Sequence, residues 1–274
     1  MKKFILSAAL VLGIAASAFA APLDAFSGMK GTLDIAGGTA HIPVMKEAAK
    51  RIMKVNPEIR ITVAGGGSGA GVKQVGEGLV AIGNTGRPLK EKEVAQYGLE
   101  TFPFAIDGVA VVVNPANTVS ELTRAQAADI YAGKITDWAE VGGKPGKINV
   151  FGREDGSGTR EVFTDKVLKK GPLAASTNVV NSNGAMKTAV AQDPRAIGYV
   201  GIGHIDSSVK APVLDGMTAS QENAANGTYT VVRDLFMNTK GKPTGLTKAF
   251  IDYIYSAEGA EIIAKSGYIP IPAK

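Results

Sequence analysis

The chain has 274 residues, no cysteine, two histidines and a formal charge of +5. The missing cysteine excludes disulfides, cysteine–metal sites, a cysteine nucleophile and a lipid-bearing cysteine at a processing site. Lysine and arginine are dispersed, which gives no basic run of the kind that binds nucleic acid.

Met1-Lys2-Lys3 opens the chain, residues 4–16 are almost wholly apolar, and Ser17-Ala18-Phe19-Ala20-Ala21-Pro22 follows. A charged start, an apolar stretch and an Ala-x-Ala site predict a secretory signal peptide over residues 1–20, cleaved after Ala20. A membrane anchor is the weaker reading, because the run is short for a bilayer span. Without Lys2 and Lys3 the charge is +3. The mature chain is expected to be free and soluble outside the cytoplasm, with room for two lobes or one large α/β domain.

Leu33 to Ala36 reads as a strand. Ile42 to Val55 has helical spacing at Ile42, Met45, Ala48, Ala49, Ile52 and Met53, stopped by Asn56-Pro57. Ile59 to Ala64 is a second strand, followed by Gly65-Gly-Gly-Ser68-Gly-Ala-Gly71 and a helix from Val72 to Glu77. Leu79 to Ile82 reads as a third strand, Gly83 to Pro88 as a loop, and Lys90 to Tyr97 as a helix. This alternation implies a parallel sheet with helices on its faces. Phe102 to Asn114 is long and extended enough to cross between lobes. Thr123 opens a helix with a capping-box pattern. Ile148 to Phe151 is a strand that leads into Arg153-Glu-Asp155-Gly-Ser157-Gly158-Thr159-Arg160 and a helix to about Lys169. Asn181-Ser182-Asn183-Gly184 precedes a helix from Ala185 to Gln192, Ala196 to Val200 is a strand, and Tyr229 to Met237 is a candidate return crossing. Thr247 to Ala264 reads as a closing helix broken at Glu258-Gly259.

Both glycine–serine segments join a strand to a helix N-terminus. Bare N–H groups and the helix dipole there favour an anion, and glycine lets it approach closely. Two such junctions suggest an oxyanion gripped from two sides at the strand ends of α/β lobes. Neither is a nucleotide motif. The first lacks the Gly-Lys-Ser/Thr ending of a P-loop and the spacing of the dinucleotide fingerprint. The second has Asp155 where a nucleophile elbow needs glycine. His41 and His204 have no obvious orienting acid nearby in sequence, and two histidines without cysteine argue against a multi-zinc phosphatase.

Five segments resemble the phosphate-binding proteins of bacterial ABC transporters over nearly the whole mature chain. They are residues 66–74, Ile82-Gly-Asn-Thr85-Gly-Arg87-Pro-Leu, residues 131–138, the segment from Arg153 to Thr159, and Ala196-Ile-Gly-Tyr-Val200. The resemblance implies a type II periplasmic binding protein: two α/β lobes joined by extended hinge strands, with the ligand in the cleft. Residues 21–106 with 228–274 would form one lobe and 107–227 the other. It implies capture of inorganic phosphate in the periplasm and delivery to ABC transporter permease subunits, by a monomer with no metal, cofactor or catalytic residue and no nucleic-acid partner. Matched ligand positions are Thr39, His41 and Ile42 in the first loop, Ser68, then Thr85 and Arg87, then Arg153, Ser157, Gly158 and Thr159, with Asn183 and Gly184 at another helix start. Asp155 would orient Arg153.

Two departures from the family bear on the ligand. His41 replaces a small hydroxyl residue, where it could donate to the anion, narrow the pocket, add pH dependence or be an ordinary satisfied loop residue. Gly86 stands where many members carry an acid or a serine. An acid there accepts the proton of HPO₄²⁻, and arginine at 87 cannot. Sulfate, molybdate or tungstate therefore stand as alternative ligands, and an exported phosphatase as an alternative activity.

Overall fold

The computed structural model describes residues 22–273; the expected signal peptide lies outside the described residues. A 3₁₀ turn (Pro22–Phe26) precedes β1 (Gly31–Gly37), α1 (Ile42–Val55), β2 (Ile59–Gly66), α2 (Gly67–Gly76), β3 (Ile82–Thr85) and α3 (Glu91–Tyr97). The long β4 (Leu99–Val113) leads to β5 (Glu121–Leu122), α4 (Arg124–Tyr131), β6 (Asn149–Arg153), α5 (Gly158–Lys166), β7 (Asn178–Val180), α6 (Asn183–Gln192), β8 (Ala196–Gly201) and β9 (Val213–Leu214). The chain closes with α7 (Gln221–Ala225), β10 (Val232–Lys240), α8 (Gly245–Ile254), α9 (Ala257–Lys265) and β11 (Ile269–Pro270).

The main sheet runs β2-β1-β3-β10-β4-β8-β6-β7, with β11 also on β4, while β5 and β9 pair separately. β1, β2 and β3 are parallel, as are β8, β6 and β7; β10 is antiparallel to both of its neighbours, and β4 is antiparallel to β8. β4 serves two sub-sheets. Its residues 99–108 pair with β10, and Val109–Val113 pair with β8. At the changeover Val109 N–H donates to Val231 O at 2.8 Å, so the second crossing runs beside the first.

The two larger hydrophobic cores follow this division. Leu33, Ile35, Met45, Phe104, Leu235 and Phe250 pack in one; Val111, Tyr131, Trp138, Phe163, Tyr199 and Tyr229 pack in the other. α1 shows how sequence makes such a layer. Proline in its first turn lacks an N–H that the helix would leave unpaired anyway. Val44, Met45, Ala48, Ala49 and Ile52 recur at helical spacing and are all buried. The larger of these side chains contribute about 1.5–3 kcal/mol each by leaving water. Asn56 ends the helix, and its side-chain amide donates to Phe26 O and Met29 O at 2.7 and 2.8 Å.

Several element boundaries differ from the sequence reading. The third strand is Ile82–Thr85 rather than Leu79–Ile82. Leu79 is exposed, whereas polar Asn84 and Thr85 are buried between β1 and β10. Helix α2 begins at Gly67, inside the segment read as a loop. The closing helix breaks at Tyr255–Ser256, before Glu258-Gly259, because the Ser256 hydroxyl caps α9 by accepting from Gly259 N–H at 3.1 Å. The short strand β7 has no alternation to reveal it in the sequence.

Candidate functional site

Four strand ends and the helix starts that follow them converge on one small cavity of about 10 Å³. Gly38, Thr39, Ala40 and His41 reach it from the turn before α1, and Gly67 and Ser68 from the start of α2. Gly86 follows β3. Arg153 ends β6, and Ser157, Gly158 and Thr159 begin α5. Arg233 comes from β10. The N-termini of α2 and α5 belong to different lobes and touch directly, with Gly69 N–H donating to Gly156 O at 3.1 Å. Gly158 is required here: a Cβ on it would lie 2.4 Å from the Ser68 hydroxyl.

The hydroxyls are set as donors. Ser68 Oγ accepts from Gly86 N–H at 3.0 Å, and Ser157 Oγ accepts from Arg160 N–H at 3.2 Å as the cap of α5. Thr39 Oγ1 accepts from the backbone and side-chain N–H groups of Asn183 at 3.2 and 3.0 Å. Each hydroxyl has one proton to give, and because its oxygen already accepts an N–H that proton is free to turn toward an incoming acceptor. Helix dipoles and unpaired N–H groups add to the same preference.

Two guanidiniums complete the lining, and each is held by a carboxylate behind it. Arg153 is 1% exposed. Its Nε and Nη2 donate to the two Glu154 oxygens at 3.0 and 2.9 Å, while Nη1 is buried with no partner among the described residues. Tyr199, whose hydroxyl accepts from Arg153 N–H at 3.0 Å, fixes the backbone there, and burial pushes that phenol up to about 12. Arg233 donates from Nε and Nη2 to Asp107 Oδ2 at 3.0 and 2.7 Å. Burial raises the Asp107 carboxyl above its ordinary value, opposed by the Arg233 charge and hydrogen bonds and by Ile202 N–H. A buried charge needs such a partner, since desolvating it alone is costly.

The structure separates the sequence candidates. Thr39, His41, Ser68, Arg153, Ser157, Gly158 and Thr159 line the cavity; Ile42, Thr85, Arg87, Asn183 and Gly184 do not. Arg87 instead pairs with both Glu93 oxygens at 2.8 and 2.7 Å and with Glu161 across the lobes at 3.1 Å, so its fork is spent on the rim. Thr85 accepts from Asn238 behind the site at 3.1 Å. Asn183 braces Thr39 and accepts from Gly201 N–H at 3.1 Å. Asp155 does not orient Arg153. It is exposed and pairs with Arg160 at 2.8 Å, and the neighbouring Glu154 takes the role.

His41 donates from Nδ1 to Gly38 O at 3.1 Å and packs on Phe104. Burial, then the Arg233 charge, lowers its pKa to about 3, which keeps the ring neutral at physiological pH. Arg233 and Asp107 were not singled out in the sequence, where the one available sign was a lone acid inside the apolar crossing strand. Among the described residues no group of three or more His, Asp or Glu could hold a metal, and no helix is long and apolar enough to cross a membrane.

Residues 27–258 match the model of the PBP superfamily domain. The chain is 37% identical over 244 residues to the phosphate-binding protein PstS of Bacillus subtilis, covering 88% of this chain and 81% of that one. A Clostridium perfringens chain, described as a phosphate ABC transporter substrate-binding protein and solved with bound phosphate, superposes with a TM-score of 0.83 at 37% identity over 88% of this chain and all of that one. An ABC-type phosphate transport receptor from Vibrio cholerae gives 0.70 at 37% identity and the same coverage. With its two lobes, its crossing strands and a donor-lined cavity between them, the chain belongs to the PstS-type phosphate-binding proteins of the PBP superfamily.

Proposed function

We propose that this protein captures inorganic phosphate between its two lobes and delivers it to the permease subunits of an ABC importer. The observation that carries the reading is the buried, unpartnered Arg153 Nη1 beside two helix N-termini in a cavity whose hydroxyls are set to donate. An arginine fork and many neutral donors together offset the dehydration of a small multivalent anion. Binding and release account for this role, and no catalytic residue is assigned. Cleavage of the leader after Ala20 would leave a monomer free in the periplasm without a lipid anchor. We assign residues 21–106 with 228–274 to one lobe and 107–227 to the other. Thr39, His41, Ser68, Arg153, Ser157, Gly158 and Thr159 are the contact residues.

Calorimetric titration with phosphate, repeated in excess sulfate and in excess molybdate, tests this reading. Saturable binding that survives both competitors supports it. Absence of phosphate heat, or tighter binding of another oxyanion, overturns it.

A further inference from the structure

The residue at position 86 is a glycine because another side chain fills its space. A Cβ built there would lie 2.7 Å from Arg233 Nη1 and 3.1 Å from Arg233 Cζ. The guanidinium cannot easily retreat. Its side chain is 4% exposed, and Asp107 on the adjacent strand β4 holds its Nε and Nη2, leaving Nη1 at the Gly86 end. Asp107 is itself fixed, because its other oxygen accepts from Ile202 N–H at 3.2 Å. Arg233 lines the same cavity as Arg153.

We propose that Arg233 is a second anion-binding residue, positioned over Gly86 by Asp107, and that this arginine pair favours the dianion of phosphate over its monoanion. The inference rests on the phosphate-binding reading above. None of the 12 lining residues is an acid, and Glu154 and Asp107 both face the far edges of their arginines. The hydroxyls of Ser68 and Ser157 each accept one N–H bond, so each keeps a lone pair that can take the single proton of HPO₄²⁻. The more highly charged HPO₄²⁻ gains more from two guanidiniums than H₂PO₄⁻ does.

Around Arg233 stand Asp107 from β4, His41 before α1, His204 after β8 and Tyr268 after α9, with Lys166 of α5 donating to Val232 O beside it. His41 is lowered to about 3 and His204 to about 4 by burial first, and burial raises Tyr268 well above its ordinary value. These rings stay neutral across the neutral range, so pH there reads the ligand.

The test is calorimetric titration of the mature chain with inorganic phosphate at about pH 6 and about pH 8, where the second phosphate proton is lost. Wild type is expected to bind about tenfold tighter at the higher pH, and Arg233→Gln to lose about thirtyfold or more there and less at the lower pH. Arg233→Lys keeps the charge and should keep the pH gain at weaker affinity. Asp107→Asn/Arg233→Gln removes both charges, and it carries the test if the single variant fails to fold. An Arg233→Gln or double variant within about threefold of wild type, or with an unchanged pH ratio, overturns the proposal while leaving phosphate binding intact. A wild type that gives no phosphate heat at either pH defeats the underlying reading instead.

Discussion

Replacing Arg153 with alanine removes a buried cationic nitrogen at the site that has no protein partner among the described residues. The side chain makes four hydrogen bonds away from the cavity, to Glu154 twice and to Val180 O and Asn181 O at 3.2 and 3.3 Å. These orient the fork, and their loss should lower the melting temperature by only a few degrees, since Glu154 reaches solvent. The effect on the ligand is larger. Truncating one partner of a buried, hydrogen-bonded charge pair costs about 2–5 kcal/mol. That converts to a dissociation constant raised about thirtyfold to several thousandfold. Arg153→Lys keeps a charge without the fork and should fall between the two. Calorimetry against phosphate, paired with a melting curve, measures both quantities. A folded Arg153→Ala protein whose affinity stays within about threefold of wild type would refute the role given to this residue.

Gly71→Ala should destabilise the fold by about 1–3 kcal/mol in urea denaturation. Its Cβ would lie 2.5 Å from Asn84 O and 3.0 Å from Gly37 Cα, both backbone atoms; an unchanged midpoint would show that α2 can shift off β1 and β3. Glu161→Gln breaks the ion pairs of α5 with Arg87 at 3.1 Å and Lys90 at 3.4 Å across the lobes. With Glu161 partly exposed the change is worth at most about 1 kcal/mol, so phosphate affinity should fall up to about fivefold at low salt and hardly at all at high salt. Equal loss at both salt concentrations would contradict it. His41 and His204 are held at about 3 and about 4, below the 6.5 of the unfolded chain. Unfolding therefore takes up protons, and the stability they contribute is full above pH 6.5 and lost as pH falls toward those values. His41→Gln should flatten that acid loss in melting experiments, and an unaltered slope would exclude His41 as a source.

Local chemistry made most of the site readable. Glycine and hydroxyl residues at strand-to-helix junctions mark anion-binding helix starts without knowledge of the fold, and Ser68, Ser157, Gly158 and Thr159 all line the cavity. Arg153 beside such a junction was visible for the same reason. Arg233 was hidden because it occurs between Val232 and Asp234 in an alternating strand, where a charged residue ordinarily faces solvent. Only the pairing of β10 with β4, which sets Arg233 opposite Asp107, turns it inward. Arg87 misled by adjacency: it follows the β3 end by two residues, yet Glu93, one turn into α3, captures it. Glu154 and Asp155 are neighbouring carboxylates, and composition offers no way to choose which faces Arg153. β3 escaped because a central strand that carries Asn84 and Thr85 has no apolar run to announce it.

The carboxylate behind each cavity arginine has a kinetic consequence. Glu154 cancels Arg153 and Asp107 cancels Arg233, so the cleft presents two oriented dipoles rather than two free positive charges. The field of such pairs fades with distance far faster than that of a lone cation. An oxyanion some 10 Å away, about one screening length at 0.1 M salt, is drawn only by the modest surplus charge of the whole molecule. Attraction becomes strong only once the ion has entered the cleft and shed water. The association rate should therefore respond weakly to ionic strength, and discrimination among anions should appear in how long each one stays.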